Sequence, residues 1–386
     1  MVDYQELMTY LSVPRPNGSS AERETAHALR EWLTKRGIQH RVQEFQNYPY
    51  FFECLGIWLI LSRTLLAIAV WSRWGWLTLP IALVGFLGGT LDIALNLPLV
   101  TWFGSRNGEN ILIDLEPPQV RQEIIFSAHY DTKTELLDHN QRMFFLKRIN
   151  LGLLLTLILG IWGLLDHRLM DTDWGTPVFW VGVMLTIPML LLSWGFGLHL
   201  SLGRLMKPSQ GAVDNGAACA ILLGLAEHLF KERDLLSDAK LTLALFTGEE
   251  VNMQGSRAYV RSREWPVPTF ALNLEIMAQD GEYIYWEEDG NVFRLLPTSK
   301  YHNRKFSEAV QQVTGQPARS AGPVTSDGGS FLIAGIPATT VGTLDTHLRE
   351  TGFHRPTDNL DRVVMERLPE GVEILLELLH GLQASD

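Results

Sequence analysis

The sequence predicts an α/β protein: a parallel or mixed sheet flanked by helices, interrupted by four membrane-spanning helices arranged as two hairpins. Three observations carry this expectation. From Lys207 to the C-terminus, short apolar runs alternate with helical patterns, as in strands covered by helices. Of the 386 residues 46% are hydrophobic and only 19% charged, and the apolar excess gathers in two blocks, near 55–103 and 144–203. Polar side chains without a core role fall where strands end or helices open, which is where sites form in such sheets.

Taken in order, residues 3–12 suggest a short helix ended by Pro14 and Pro16, and Ser19-Ser20 cap a second helix to Arg36, stopped by Gly37. An alternating strand follows, His40 to Phe45. The first apolar block reads as two spans, Leu55 to about Trp71 and Trp76 to about Val100, each near the length that crosses a bilayer. Arg63 and Asp92 within them are costly in lipid and are expected to face the bundle interior or to snorkel, with only a weak suggestion of a mutual pair. Gly85 and Gly89 have the small-residue spacing of closely approaching helices. Asn110 to Leu115 and Glu123 to Ala128 read as strands, the second delivering His129-Tyr130-Asp131. The second block holds spans Ile149 to Leu165 and Val178 to about Leu202, and tryptophans such as Trp71, Trp74, Trp76 and Trp174 suit membrane interfaces. Beyond Lys207 come a helix within Gly211 to Lys231, the strand from Leu241, a helix near Gly255 to Arg263, strands Thr269 to Leu274 and Tyr283 to Trp286, a helix Asn303 to Val313, a strand around Ala338 to Val341 and a C-terminal helix Leu368 to Leu382. The implied division is a discontinuous catalytic domain, residues 1–50, 104–143 and 204–386, with hairpins at 51–103 and 144–203.

A net charge of −11 offers no basic footprint for nucleic acid. The two cysteines, Cys54 and Cys219, give neither a disulfide framework nor a thiolate cluster and read as packing residues. The N-terminus lacks a basic region followed by an apolar core, so no cleaved signal peptide is expected.

The strand from Leu241 runs through Thr247-Gly248 into adjacent carboxylates, Glu249 and Glu250. On an extended backbone, neighbouring side chains point in different directions, so one can face a metal while the other takes a proton from water. His129, Asp214, Glu275 and His354 occupy other strand ends, a helix opening and a late loop. Two imidazoles and several carboxylates suit zinc, with one carboxylate able to bridge two ions, and a metal pair would activate water and polarise a scissile carbonyl. Asp131 lies close enough in sequence to orient His129. Singly, each has a plainer reading: a surface histidine, an N-cap at Asp214-Asn215, a solvated acidic loop. Their joint occurrence favours a site.

The stretches SAHYDTK, GAVDNGAACAILLGLAEHL, LFTGEEVNMQGSRAY, NLEIM, SDGGSFLIAGIPA and FHRPTDNLD resemble, in order, the motifs of the M28 zinc aminopeptidase family, over essentially all the soluble sequence. The resemblance implies a zinc-aminopeptidase-like fold and two Zn2+ ions, one held by His129 and Glu275, the other by Glu250 and His354, bridged by Asp214. It implies Glu249 as general base, Asp131 as the partner of His129, and peptides cut at the N-terminal residue as substrates. Two departures stand out. Glu275 occupies a position that is usually Asp in the aminopeptidases, and the second hairpin separates His129 from Asp214, which predicts an active site near the bilayer surface.

Two rival functions remain: a glutaminyl cyclase, which resembles this fold and uses a single zinc, and a metal-free membrane binding or scaffold protein. The sequence leaves the oligomeric state and substrate preference open. Arg142, Lys147, Arg148, Arg204 and Lys207 flank the spans on the catalytic side, against Arg73 and Arg168 in the hairpin loops, which predicts a multi-pass protein with its catalytic part in the cytoplasm. A protease site introduced beside Glu282 should therefore resist external protease in sealed cells; cleavage from outside would overturn the orientation.

Overall fold

The computed structural model describes residues 2–232, 236, 238–344 and 352–383. The chain forms two compact units, one made of Met1–Pro49, Ser105–Thr134 and Lys207–Asp386, the other of Tyr50–Gly104 and Glu135–Met206.

The first unit is built on a sheet of nine strands: β1 (Arg41–Asn47), β2 (Arg106–Leu115), β3 (Gln122–His129), β4 (Ala239–Phe246), β5 (Thr269–Glu275), β6 (Glu282–Asn291), β7 (Arg294–Pro297), β8 (Arg319–Pro323) and β9 (Ala338–Leu344). Their order is β1-β2-β4-β3-β5-β9-β6-β7, with β8 paired to β6. The central strands β4, β3, β5 and β9 run parallel, and antiparallel strands flank them. The sheet is therefore mixed, with helices on both faces.

Side-chain alternation builds the two layers. In β4, Leu241, Leu243 and Leu245 enter the larger core, while Ala244 and Phe246 enter the smaller one. β3 and β5 divide the same way, with Phe126 and Leu272 on one face and Ile125 and Ala271 on the other. The larger core is covered by helices Tyr4–Leu11, Ser20–Lys35, Ala217–Lys231 and Arg367–Gln383, and the smaller by Tyr259, Trp265 and Phe331. Strands β7 and β8 and the helix His139–Leu146 were not expected from sequence, and β6 is longer than the expected Tyr283–Trp286. β7 and β8 are short and largely exposed, so they lack the apolar alternation that marks a strand.

The second unit is a bundle of four long helices, Phe51–Trp71, Gly75–Leu95, Ile149–Leu169 and Gly175–Leu202. Among the described residues, five segments are long and apolar enough to cross a membrane, but they differ in burial: Ala212–Lys231 is 78% buried, as a core helix of the α/β unit should be, whereas the four in the bundle are 28–44% buried. Gly85 and Gly89 allow close approach of the first two bundle helices; a Cβ on Gly85 would lie 2.7 Å from Arg63 Nη1, and one on Gly89 would lie 2.9 Å from Leu55 Cδ1.

The tentative Arg63–Asp92 pairing does not form. Arg63 donates to Ser62 Oγ at 2.9 Å, and Asp92 accepts from the N–H groups of Leu99, Val100 and Thr101 at 2.8–3.0 Å. Those three bonds turn the chain out of the helix at Leu95, ahead of the expected end near Val100. At the hairpin-loop end, Arg73 Nη2 lies 3.4 Å from Asp166 Oδ1 and donates to Gly175 O at 2.7 Å.

Candidate metal centre

The parallel register brings the chemistry to one edge. His129, the last residue of β3, pairs with Phe246, the last of β4, and Ser127 pairs with Asn273 in β5. Three strand ends therefore present His129, the Thr247–Glu250 turn and Glu275 side by side. Glu249 and Glu250 do not sit on extended backbone: β4 stops at Phe246, Gly248 turns at φ 77°, and both acids lie on the 3-10 turn Glu249–Val251. Asp214 is likewise not a helix cap. It and Asn215 have non-helical backbone ahead of helix Ala217–Lys231, and the peptide bond between them is cis.

Asp214 faces both imidazoles. Its Oδ1 lies 3.3 Å from His129 Nε2 and its Oδ2 lies 3.3 Å from His354 Nε2. Glu275 Oε2 lies 3.4 Å from His129 Nε2, Glu250 Oε1 lies 3.0 Å from His354 Nε2, and Glu249 Oε2 lies 3.9 Å from His129 Nε2. Donor atoms held at about 2.0–2.1 Å around a tetrahedral zinc are themselves about 3.3 Å apart. The imidazole–carboxylate spacings are thus those of ligand sets. The groups His129/Asp214/Glu275 and Asp214/Glu250/His354 each converge within 4.8 Å, as does His129/Glu249/Glu250.

Charge points the same way. Glu249, Glu250, Glu275, Asp131, Asp214 and Asp327 crowd two histidines, and isolated buried carboxylates are costly. Burial would raise the Asp214 carboxyl, but the two imidazoles outweigh it and hold the group far below the usual range. Burial, reinforced by neighbouring acids, pushes Glu249 well up, and it raises Glu275 too. For His129, burial opposes protonation, yet Glu275, Asp131 and Asp214 together hold the imidazole well above its ordinary value. Asp131 Oδ1 is buried without a hydrogen-bond partner. Such a donor set fits divalent cations.

The surroundings brace these groups. His129 Nδ1 lies 3.1 Å from the Asp131 carbonyl and 3.6 Å from its carboxylate, so Asp131 addresses the ring chiefly through its backbone. Asp131 Oδ2 also accepts from Glu250 N at 3.3 Å. Asn273 and Asn215 donate to the two oxygens of Glu275 at 2.9 and 3.1 Å. Asp358 accepts from the N–H groups of Val213 and Asp214 at 2.8 and 3.2 Å. Asn252, Met253, Ile276 and His354 have positive φ without being glycine, a concentration of strained backbone beside the ligands. Sequence reasoning did not single out Asn215, Asn273, Asp358 or Asp327 for these roles. Asp327, in the SDGG stretch, is fully buried, and burial pushes its carboxyl up to about 8.

The Peptidase family M28 model matches residues 194–379, which include Asp214, Glu249, Glu250, Glu275 and His354. Over this stretch the chain is similar to peptidase family M28. His129 and Asp131 precede the match, and β3 brings them to the M28 residues. A second model, TMEM128 protein, matches residues 28–95. No curated protein matches the chain.

Among solved structures, the chain is similar to a glutaminyl cyclase from Macrostomum lignano, with TM-score 0.55 and 14% identity over 98% of this chain and 88% of that one. An aminopeptidase from Aneurinibacillus sp. strain AM-1 gives TM-score 0.55 and 14% identity over 97% and 92%. A leucine aminopeptidase precursor from Bacteroides thetaiotaomicron gives 0.53 and 12% over 98% and 94%. The chain spans 50% of the length of a Bacillus subtilis zinc aminopeptidase that it also matches. The likeness to the first three, at TM-scores of 0.53–0.55, shows a zinc-aminopeptidase-like fold.

Behind the Thr247 turn, the buried Glu22 carboxylate accepts from Asn17 Nδ2 at 3.1 Å, from the Gly18 N–H at 2.5 Å and from the Thr247 hydroxyl. Burial, with the charge of Asp131, raises Glu22 from 4.5 to about 7. The folded state thus binds the proton more tightly than the unfolded chain. The associated stability is fully present below pH 4.5 and is lost as pH rises through about 7. That gap corresponds to about 3 kcal/mol. Glu22→Gln should therefore gain on wild type by up to about that amount between pH 5 and pH 8 in chemical denaturation, since it cannot ionise; a pH-independent difference would refute this.

Proposed function

We propose that the chain is a membrane-integrated two-zinc peptidase that removes N-terminal residues from peptides. The observation that carries this reading is the division of Asp214 between two donor sets, with imidazole–carboxylate spacings of 3.0–3.4 Å. His129 and Glu275 would hold one zinc, Glu250 and His354 the other, with Asp214 common to both donor sets. When bound, the zinc pair supplies Lewis acidity toward water and the scissile carbonyl.

Glu249 moves the proton. Its side chain stays 14% exposed at the edge of the site, not required as a ligand in this partition. Burial raises the Glu249 carboxyl, and its place beside both donor sets lets it accept a proton from water and deliver it to the leaving amine. Asp131 keeps the His129 ring oriented.

Limited burial of the four bundle helices, with Trp71, Trp74, Trp76 and Trp174 exposed near their ends, supports their spanning a bilayer. The basic residues flanking these helices support a cytoplasmic catalytic unit.

One observation favours a second reading, a single-zinc glutaminyl cyclase. The fold is as similar to the Macrostomum lignano glutaminyl cyclase as to the Aneurinibacillus aminopeptidase, at TM-score 0.55, and Asp214, Glu250 and His354 converge as one donor set without Glu275.

Product masses from a mixed peptide library separate the readings. Wild type should release single N-terminal residues, and Glu249→Gln should lose about 10²–10⁴-fold in kcat with KM and bound zinc unchanged. Loss of ammonia or water without cleavage would instead establish cyclisation. Metal analysis should give two zinc ions in wild type, one in His354→Ala and none in Asp214→Ala; one zinc in wild type would support the cyclase reading.

A further inference from the structure

We infer that Arg15 is a positioning residue that sets the spacing between the two segments carrying His129 and Asp214. The inference rests on the metal reading above. Arg15 is fully buried, and among the described residues no carboxylate oxygen lies within ion-pair distance of it. A buried cation without a contacting anion is expensive unless its donors are otherwise satisfied. Here Nε and both Nη nitrogens donate to backbone carbonyls. Nε donates to Tyr130 O at 2.5 Å, Nη1 to Leu11, Val13 and Gln210 at 2.6, 2.9 and 2.8 Å, and Nη2 to Gly211 O at 2.9 Å.

Those carbonyls belong to three separate stretches. Tyr130 lies between His129 and Asp131, and Gly211 opens the irregular turn that presents Asp214. The third stretch is the N-terminal segment that carries Arg15 itself. Its backbone is tied to the His129 loop independently: Arg15 N donates to Thr132 Oγ1 at 3.0 Å and Thr132 N donates to Arg15 O at 3.1 Å. The interface has no slack, because a Cβ on Gly211 would meet Thr132 Cγ2 at 2.1 Å.

A planar guanidinium can bind both stretches at fixed angles, whereas a lysine ammonium keeps the charge but not the fork. The nearest acids, Asp358, Asp131 and Asp214, lie at longer range, so the group acts mainly through geometry. A shift of one stretch against the other would move the His129–Asp214 donor spacing away from the value a shared ion needs.

The test compares the full-length chain in detergent as wild type, Arg15→Lys, Arg15→Ala and Thr132→Val. Zinc affinity is measured by chelator competition and ligand geometry by the visible spectrum of the cobalt-substituted protein. Folded Arg15→Lys should lose about 10–100-fold in zinc affinity with altered cobalt bands, and its peptidase kcat should fall with KM unchanged. Added guanidinium should restore affinity and spectrum to Arg15→Ala. Thr132→Val, which removes only one acceptor, should show a smaller loss of the same sign. If Arg15→Ala does not fold, Arg15→Lys decides: wild-type affinity and cobalt spectrum in it overturn the inference. A lower melting temperature with wild-type affinity, spectrum and kcat would make Arg15 a packing residue and likewise overturn it. A wild type that binds no metal would overturn the metal reading, and this inference with it.

Discussion

The carboxylate of Asp214, with one oxygen toward each of two imidazoles, is the constraint around which the α/β unit is arranged. It gathers buried acids where water cannot stabilise them, a donor set that suits divalent cations. Satisfying it requires ligands from stretches far apart in sequence to meet within about 3.3 Å, the edge of a zinc tetrahedron. The parallel pairing of β3 with β4 and β5 aligns three strand ends. Asp358 holds the backbone of Asp214, and two asparagine amides hold Glu275. The left-handed residues beside Glu250 and Glu275 mark where local preference yields to that alignment.

The same arrangement explains how long insertions are tolerated. The first leaves after Pro49 and returns at Ser105, and its ends are held by the β1–β2 ladder, which closes at Asn47 opposite Arg106. The second leaves after Thr134 and returns at Lys207, and Ser209 N donates to Thr134 Oγ1 at 3.0 Å. Where two chain ends are already bonded, lengthening the connection between them costs little, because closure entropy grows only logarithmically with length. A hairpin of helices can thus be inserted at either point without disturbing the strand register that aligns the ligands.

Much of this was legible in the sequence because it is written in local pattern. Continuous apolar strands such as Leu241–Phe246, the long spans and the ordered motifs bearing His129, Asp214, Glu249, Glu250, Glu275 and His354 all show in one dimension. Geometry that depends on tertiary partners did not. The two glutamates read as the end of a strand, yet they sit on a 3-10 turn because Gly248 leaves the extended region first. Asp214-Asn215 reads as an N-cap, whereas Asn215 spends its amide on Leu274 and Glu275 across the sheet. Asp92 reads as an intramembrane charge seeking Arg63 but instead caps three backbone N–H groups, a role visible only once the chain turns back on it. Arg15 was invisible for the same reason: a lone arginine after a short helix gives no sign that its acceptors lie on three separate stretches.

The glutamate at 275 shows how such braces alter the meaning of a substitution. An aspartate at a strand end has one fewer rotatable bond and holds a metal-facing oxygen with little loss of side-chain entropy. A glutamate reaches farther but must surrender more freedom, at a cost of order 1 kcal/mol or more. Here Asn273 Nδ2 takes one oxygen and Asn215 Nδ2 the other, at 2.9 and 3.1 Å, so the longer arm is fixed along its length before any ion arrives. Each oxygen keeps a lone pair, and Oε2 still lies 3.4 Å from His129 Nε2. The extra methylene therefore need not weaken the site, because preorganisation by two amides supplies the rigidity that the shorter side chain has intrinsically.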